Sequence, residues 1–183
     1  MERLDGRLSG PFLIRPRVFG DPRGFFAETF RADALAALGV EESFVQDNHS
    51  RSRRGVVRGM HFSVDPGAAK LVRCGRGEIW DVIVDLRRGS PTFGRWEAHA
   101  LDDEKLAVLY VPAGFAHGFC VLSEVADVLY RQSEYYDPAR ERAFAHDDPD
   151  VGIDWPLPPD ERVLSERDRD APLLAPIAAS LRF

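Results

Sequence analysis

Cysteine is scarce in this chain: only Cys74 and Cys120 occur among 183 residues. A disulfide scaffold is not expected at that density, and a cytoplasmic setting fits better. No apolar run approaches the roughly 20 residues that a membrane-crossing helix needs, so no membrane partner is expected. The opening segment, MERLDGRLSGPF, lacks the apolar stretch of a secretory signal. Basic charge is not in excess either. The formal net charge is -6 with histidine neutral, which argues against nonspecific binding to nucleic acid. A local basic pocket stays compatible with that balance. The chain also lacks a glycine-rich phosphate loop, a dinucleotide fingerprint and a zinc cysteine cluster. No internal repeat and no linker divide it, so one domain over residues 1–183 is expected.

What is present is a succession of short strands. Residues 11–20 read as extended chain broken by Pro16, followed by the turn cluster Gly20 to Gly24 and the short strand 25–30. One helix is expected over 32–38, with Asp33 near its start and Gly39 just past its end. Strands are then expected at 44–48, 55–62, 70–74, 78–86, 92–100, 106–111, 115–122 and 125–130. The segment 78–86 alternates cleanly, with Ile79, Asp81, Ile83 and Asp85 on one face and Trp80, Val82, Val84 and Leu86 on the other. Turns of Pro, Gly, Asp and Ser separate these runs at short intervals. That spacing predicts an all-β sandwich or barrel, not alternating βα units. In the C-terminal third, 164–170 reads as a short helix with Ser165 as its cap. Pro172 and Pro176 are expected to limit regular structure after it.

Two histidines could carry chemistry. His61 lies on the strand 55–62, and histidine is the natural general base near neutral pH. A regular strand would put Arg58 on the opposite face from His61; a bulge at Gly59 would bring them together. His117, in VPAGFAHGF, has apolar neighbours and needs a partner if buried. Read singly, a strand histidine such as His61 is more often structural or surface, and His117 could equally be a core histidine with one hydrogen bond. His99 reads as a surface residue. A metal site is weakly signalled, because no second histidine or glutamate stands at ligand spacing from His61. Tyr130 closes the apolar run VADVLY, with Tyr135 and Tyr136 shortly after it. Tyrosine can donate a proton or stack on a base or sugar. Asp168 would ordinarily sit on a solvated helix face. Arg51, Arg53 and Arg54 form a basic run, either a charged loop or a phosphate contact.

Taken in order, several motifs go further. They are VFGDPRGFFAETF, FVQDNHSRSRRGVVRGMHF, AKLVRCGRGEIWDVIVDLRRGSPTFGRW, VPAGFAHGF, VLYRQSEYY, DDPDVGIDWP and LSERDRDAPLL. Together they resemble the dTDP-4-dehydrorhamnose 3,5-epimerase family, a resemblance that covers roughly residues 11–175. The resemblance implies a cupin-like jelly roll, a double-stranded β-helix with short flanking helices, usually homodimeric. It implies His61 as general base, Asp168 as the acid that orients it, and Tyr130 as proton donor. Arg58 and Lys70 would face the sugar and its C4 oxygen, with His117 beside the base. Arg23, Glu28, Gln46 and Asn48 would hold a dTDP-linked 4-keto-6-deoxy sugar. Phe19, Phe26 and Tyr136 would contact the nucleotide or wall the pocket. His61, His117 and Tyr130 should therefore point into one cavity.

The implied chemistry is epimerisation of dTDP-4-keto-6-deoxy-D-glucose at C3 and C5, to dTDP-4-keto-L-rhamnose. The C4 ketone acidifies the hydrogens on both carbons. A base removes one, charge develops on the C4 oxygen, and cations placed there stabilise it. Inversion needs a second group returning the proton from the other face. No metal or redox cofactor is required. The chain departs from the family at Ser63, at the short segment 64–69 and at Trp80. Three rivals stand beside this reading: an epimerase acting at C3 or C5 alone, a metal-dependent cupin enzyme, and a non-catalytic sugar-nucleotide binder.

Overall fold

The computed structural model describes residues 1–183. Its strands are β1 (Glu2–Asp5), β2 (Phe12–Arg15), β3 (Val18–Asp21), β4 (Gly24–Ala27), β5 (Gln46–Arg53), β6 (Val57–Ser63) and β7 (Lys70–Arg76). They continue with β8 (Glu78–Asp85), β9 (Trp96–Asp102), β10 (Val108–Val111), β11 (Phe115–Val121), β12 (Val125–Gln132) and β13 (Glu141–Ala143). Three short helices flank them, α1 (Ala32–Ala36), α2 (Glu166–Arg169) and α3 (Leu174–Ala178). No helix is long and apolar enough to cross a membrane.

The strands form a six-stranded sheet, β1-β2-β10-β7-β12-β5, and a five-stranded sheet, β13-β6-β11-β8-β9. All the paired strands run antiparallel. The arrangement is the expected jelly roll. Alternation along β8 decides how it packs. Ile79 and Ile83 turn inward and join Val72, Leu109, Phe119 and Val128 in a core drawn from both sheets. Val82, Val84 and Leu86 face outward, where Phe144, Trp155, Leu157 and Leu174 of the C-terminal segment cover them. A third core lies on the outer face of the six-stranded sheet, where Leu35 anchors α1 against Phe12, Ile14 and Val108. Full burial of each such side chain favours the fold by about 1.5–3 kcal/mol. The inner core fills only part of the space between the sheets, and the remainder is a cavity.

Several expectations are corrected. The strand expected at 44–48 is β5, which runs from Gln46 to Arg53. Arg51 and Arg53 are therefore strand residues on its exposed face, not a loop. Arg51 donates twice to Asp127, at 2.6 and 2.7 Å. β9 starts at Trp96 because Thr92 is held in a turn, its hydroxyl donating to Asp85 at 2.7 Å. Tyr130 does not end its strand, which continues to Gln132. Pro176 lies inside α3, at its third residue. The N–H groups of a first turn have no intrahelical acceptor, so proline costs little there. β1 was not expected at all. His99 is not a surface residue; its side chain is 12% exposed and lies 3.5 Å from Glu97. Ser165 caps α2 as expected: the Asp168 N–H donates to Ser165 Oγ at 3.1 Å.

Candidate active site

A cavity of about 340 Å³ opens between the two sheets. β5 contributes Gln46, Asn48 and Ser50; β7 contributes Lys70; and β12 contributes Tyr130 and Gln132. From the facing sheet come Arg58 and His61 on β6, His117 and Phe119 on β11, and Glu141 on β13. Tyr136 and Arg167 complete the lining. His61 and Tyr130 thus stand on opposed sheets across one space.

Arg58 and His61 share this cavity because β6 carries a bulge. His61 pairs with His117 and Arg58 with Phe119, so three steps on β6 oppose two on β11. Gly59 makes the bulge possible, with φ +132° and room for no side chain. A Cβ there would lie 2.6 Å from the Gly118 Cα.

His61 Nε2 and Asp168 Oδ1 are 2.6 Å apart. Asp168 is only 4% exposed. Burial alone would raise its carboxyl pKa. The hydrogen bond and charge of His61, with the Ser165 hydroxyl and the Gly59 N–H, outweigh that and hold it below the usual carboxylate range. The Ser165 cap fixes where α2 begins and so where Asp168 points. His117 has a similar partner: its Nε2 lies 3.0 and 2.9 Å from the two oxygens of Asp81, which is fully buried. Both imidazoles therefore have one nitrogen engaged by a carboxylate, the arrangement that fixes a tautomer. No three His, Cys, Asp or Glu side chains converge as a metal site would require.

Lys70 is 7% exposed, and its side-chain amine makes no hydrogen bond or ion pair within the chain. Burial lowers its pKa, against the opposing charges of Glu141 and Asp81. Burial raises that of Tyr130, aided by the charge of Glu141 and opposed by Arg58, so its phenol is held protonated. Near the mouth, the Tyr136 N–H donates to Gln46 Oε1 at 2.8 Å, and Gln46 Nε2 donates to Asn48 Oδ1 at 2.9 Å. Phe19, Arg23, Phe26 and Glu28 are not brought here. They lie on or beside the β3–β4 hairpin, exposed, with Phe19 across from Phe26 and Arg23 paired to Asp21. Trp80 is also outside the cavity, against the outer core.

The family model for dTDP-4-dehydrorhamnose 3,5-epimerase matches residues 5–176. The chain belongs to the dTDP-4-dehydrorhamnose 3,5-epimerase family. It is 52% identical to the dTDP-4-dehydrorhamnose 3,5-epimerase of Pseudomonas aeruginosa, over 89% of this chain and 90% of that one. A dTDP-4-dehydrorhamnose 3-epimerase from Streptomyces niveus is 46% identical, over 92% of this chain and 81% of its own. Among solved structures, the dTDP-6-deoxy-D-glucose-3,5-epimerase of Legionella pneumophila, in complex with dTDP-4-keto-L-rhamnose, superposes with a TM-score of 0.94. It is 43% identical and covers 98% of this chain and 95% of that one.

Sequence reasoning about this epimerase missed five lining residues, Ser50, Phe119, Gln132, Glu141 and Arg167, and the partner of His117. Only Asp81 left a signal: it is a carboxylate between Ile79 and Ile83 on an inward face. Glu141 and Arg167 reach the cavity through pairings and packing distant in sequence, which no local pattern encodes.

Proposed function

We propose that this epimerase inverts both C3 and C5 of dTDP-4-keto-6-deoxy-D-glucose, giving dTDP-4-keto-L-rhamnose. The observation that carries the reading is the placement of His61 and Tyr130 on opposite sheets, with the buried amine of Lys70, unpartnered within the chain, beside them. His61, oriented by Asp168, takes the proton from C3 or C5. The electron pair moves toward the C4 oxygen as an enolate, and Lys70 and Arg58 stabilise it. Tyr130 returns a proton from the opposite face, and the carbon inverts. The lowered pKa of Lys70 suits hydrogen bonding to a developing oxyanion. The raised pKa of Tyr130 keeps it in the donor form. His117, Gln46, Asn48 and Tyr136 hold the nucleotide sugar.

Incubation with the substrate in D2O tests this. Deuterium at C3 and C5, with both centres inverted, is the expected result; no exchange at either carbon would sink it. Inversion at C3 alone is the second reading, supported by the relative from Streptomyces niveus.

The reading extends to assembly and location. The hairpin exposes Phe19 at 49%, Phe25 at 60% and Phe26 at 70%, a cluster that favours a covering surface. We place it in a homodimer, where Phe19, Arg23, Phe26 and Glu28 reach the partner's cavity. Each chain is a single domain over 1–183, as the match over residues 5–176 supports. The two free thiols suit the cytoplasm.

A further inference from the structure

Four side chains hold a buried polar atom with no hydrogen-bond partner: Glu42, Asn48, Ser50 and Trp80. Two of the four, Asn48 Nδ2 and Ser50 Oγ, lie on the same face of β5 and line the same cavity. Buried polar groups are nearly always paired, and an exception asks for an explanation. Asn48 already has one, as a substrate contact in the reading above. Ser50 has none.

Its position is defined by register. β5 alternates strictly, with Gln46, Asn48, Ser50 and Ser52 turned in and Asp47, His49, Arg51 and Arg53 turned out. Gln46 marks the mouth, through its bond to the Tyr136 backbone. Ser50 lies about 13 Å farther along the strand at the usual rise per residue. There it pairs with Val128, a residue of the inner core. The next inward residue, Ser52, is occupied, accepting from Arg58 Nε at 3.1 Å. Ser50 is therefore the last free polar group before the cavity meets the apolar core.

We propose that Ser50 is a substrate-positioning residue whose hydroxyl hydrogen-bonds the hexose on its C3–C4 edge, fixing the ring between His61 and Tyr130. This rests on the functional reading above. A nucleotide sugar entering with its nucleotide toward Tyr136 carries that edge deepest. The hydroxyl reads sugar oxygen and not nucleotide.

Ser50→Ala separates this role from a structural one. Thermal unfolding of the free variant should match or exceed wild type, because the hydroxyl makes no hydrogen bond to another group of the chain. Calorimetry should find dTDP affinity unchanged and dTDP-glucose affinity lowered about 3- to 10-fold, the worth of one neutral hydrogen bond. kcat/KM on the 4-keto sugar should fall by at least as much. A lower unfolding temperature, equal weakening of both ligands, or unchanged dTDP-glucose binding would each overturn the proposal. Wild type that binds dTDP-glucose yet exchanges no deuterium would instead overturn the epimerase reading and leave Ser50 as a sugar contact.

Discussion

At the scale of single residues, the division of labour between His61 and Tyr130 has a direct test. His61→Ala should abolish both deuterium exchange and inversion, since no proton is abstracted. Asp168→Ala should slow turnover strongly but less completely, because the imidazole remains and is only poorly held. General acid–base groups contribute about 100- to 10,000-fold each. Tyr130→Phe keeps the ring and loses the hydroxyl. If the proton on His61 swaps with solvent before it returns, this variant should still take up deuterium while inverting poorly. Mass and proton NMR on the same samples over time would show exchange outrunning inversion. Inversion at the normal rate would remove Tyr130 from the role of acid. The residues in this test were legible in the sequence through their motifs. Their geometry was not. Whether Arg58 joins His61 turns on one extra residue at Gly59, and the pattern 55–62 accommodates both outcomes.

At the scale of elements, apolar alternation set what could be read. β8 was recoverable because Ile79 and Ile83 face one core and Val82 and Val84 another. β5 was truncated because both of its faces are polar: the inner one lines the cavity and the outer one meets solvent at a sheet edge. A strand built to hold a polar ligand erases the signal by which strands are found. The turn after β8 shows a different economy. Asp85 is fully buried and accepts from Arg87 Nε at 2.9 Å, Ser90 Oγ at 2.6 Å and Thr92 Oγ1 at 2.7 Å. Burial would raise its pKa, but these bonds bring it to about 2. A carboxyl depressed below its unfolded value near 3.9 stabilises the fold above that value and loses the effect as pH falls toward 2. Asp85→Asn should therefore cost roughly 2 kcal/mol at pH 7. The deficit should shrink near pH 2. Urea midpoints at the two pH values measure it; a deficit independent of pH would mean that shape, not charge, matters at this turn.

For the whole molecule, the exposed hairpin predicts concentration-dependent behaviour. Phe26→Ser should shift the protein toward monomer in light scattering and lower activity, although Phe26 lies outside its own chain's cavity. A monomeric wild type with full activity would refute the shared site. Activity should also survive exhaustive chelation, because the ligand set is incomplete: no three His, Cys, Asp or Glu side chains converge on the cavity. A stoichiometric metal whose removal stops turnover and whose return restores it would contradict this. Burial lifts both thiols to about 11, so native protein should resist alkylation near pH 8 and react once unfolded. The contact between Gly59 and Gly118 bears on how this chain can change at all. A Cβ on Gly118 would meet Met60 Sδ at 2.7 Å and the Arg58 carbonyl at 2.8 Å, while one on Gly59 would meet Gly118 itself. Neither position can compensate for the other, since each already has the smallest side chain. In a saturation library selected for activity, positions 59 and 118 should both stay glycine, and no double variant should recover what either single variant loses. New substrate preferences would have to arise from lining residues outside the β6–β11 seam, on β5, β7, β12 and β13 or at Tyr136 and Arg167, leaving that seam as the inherited part of the enzyme.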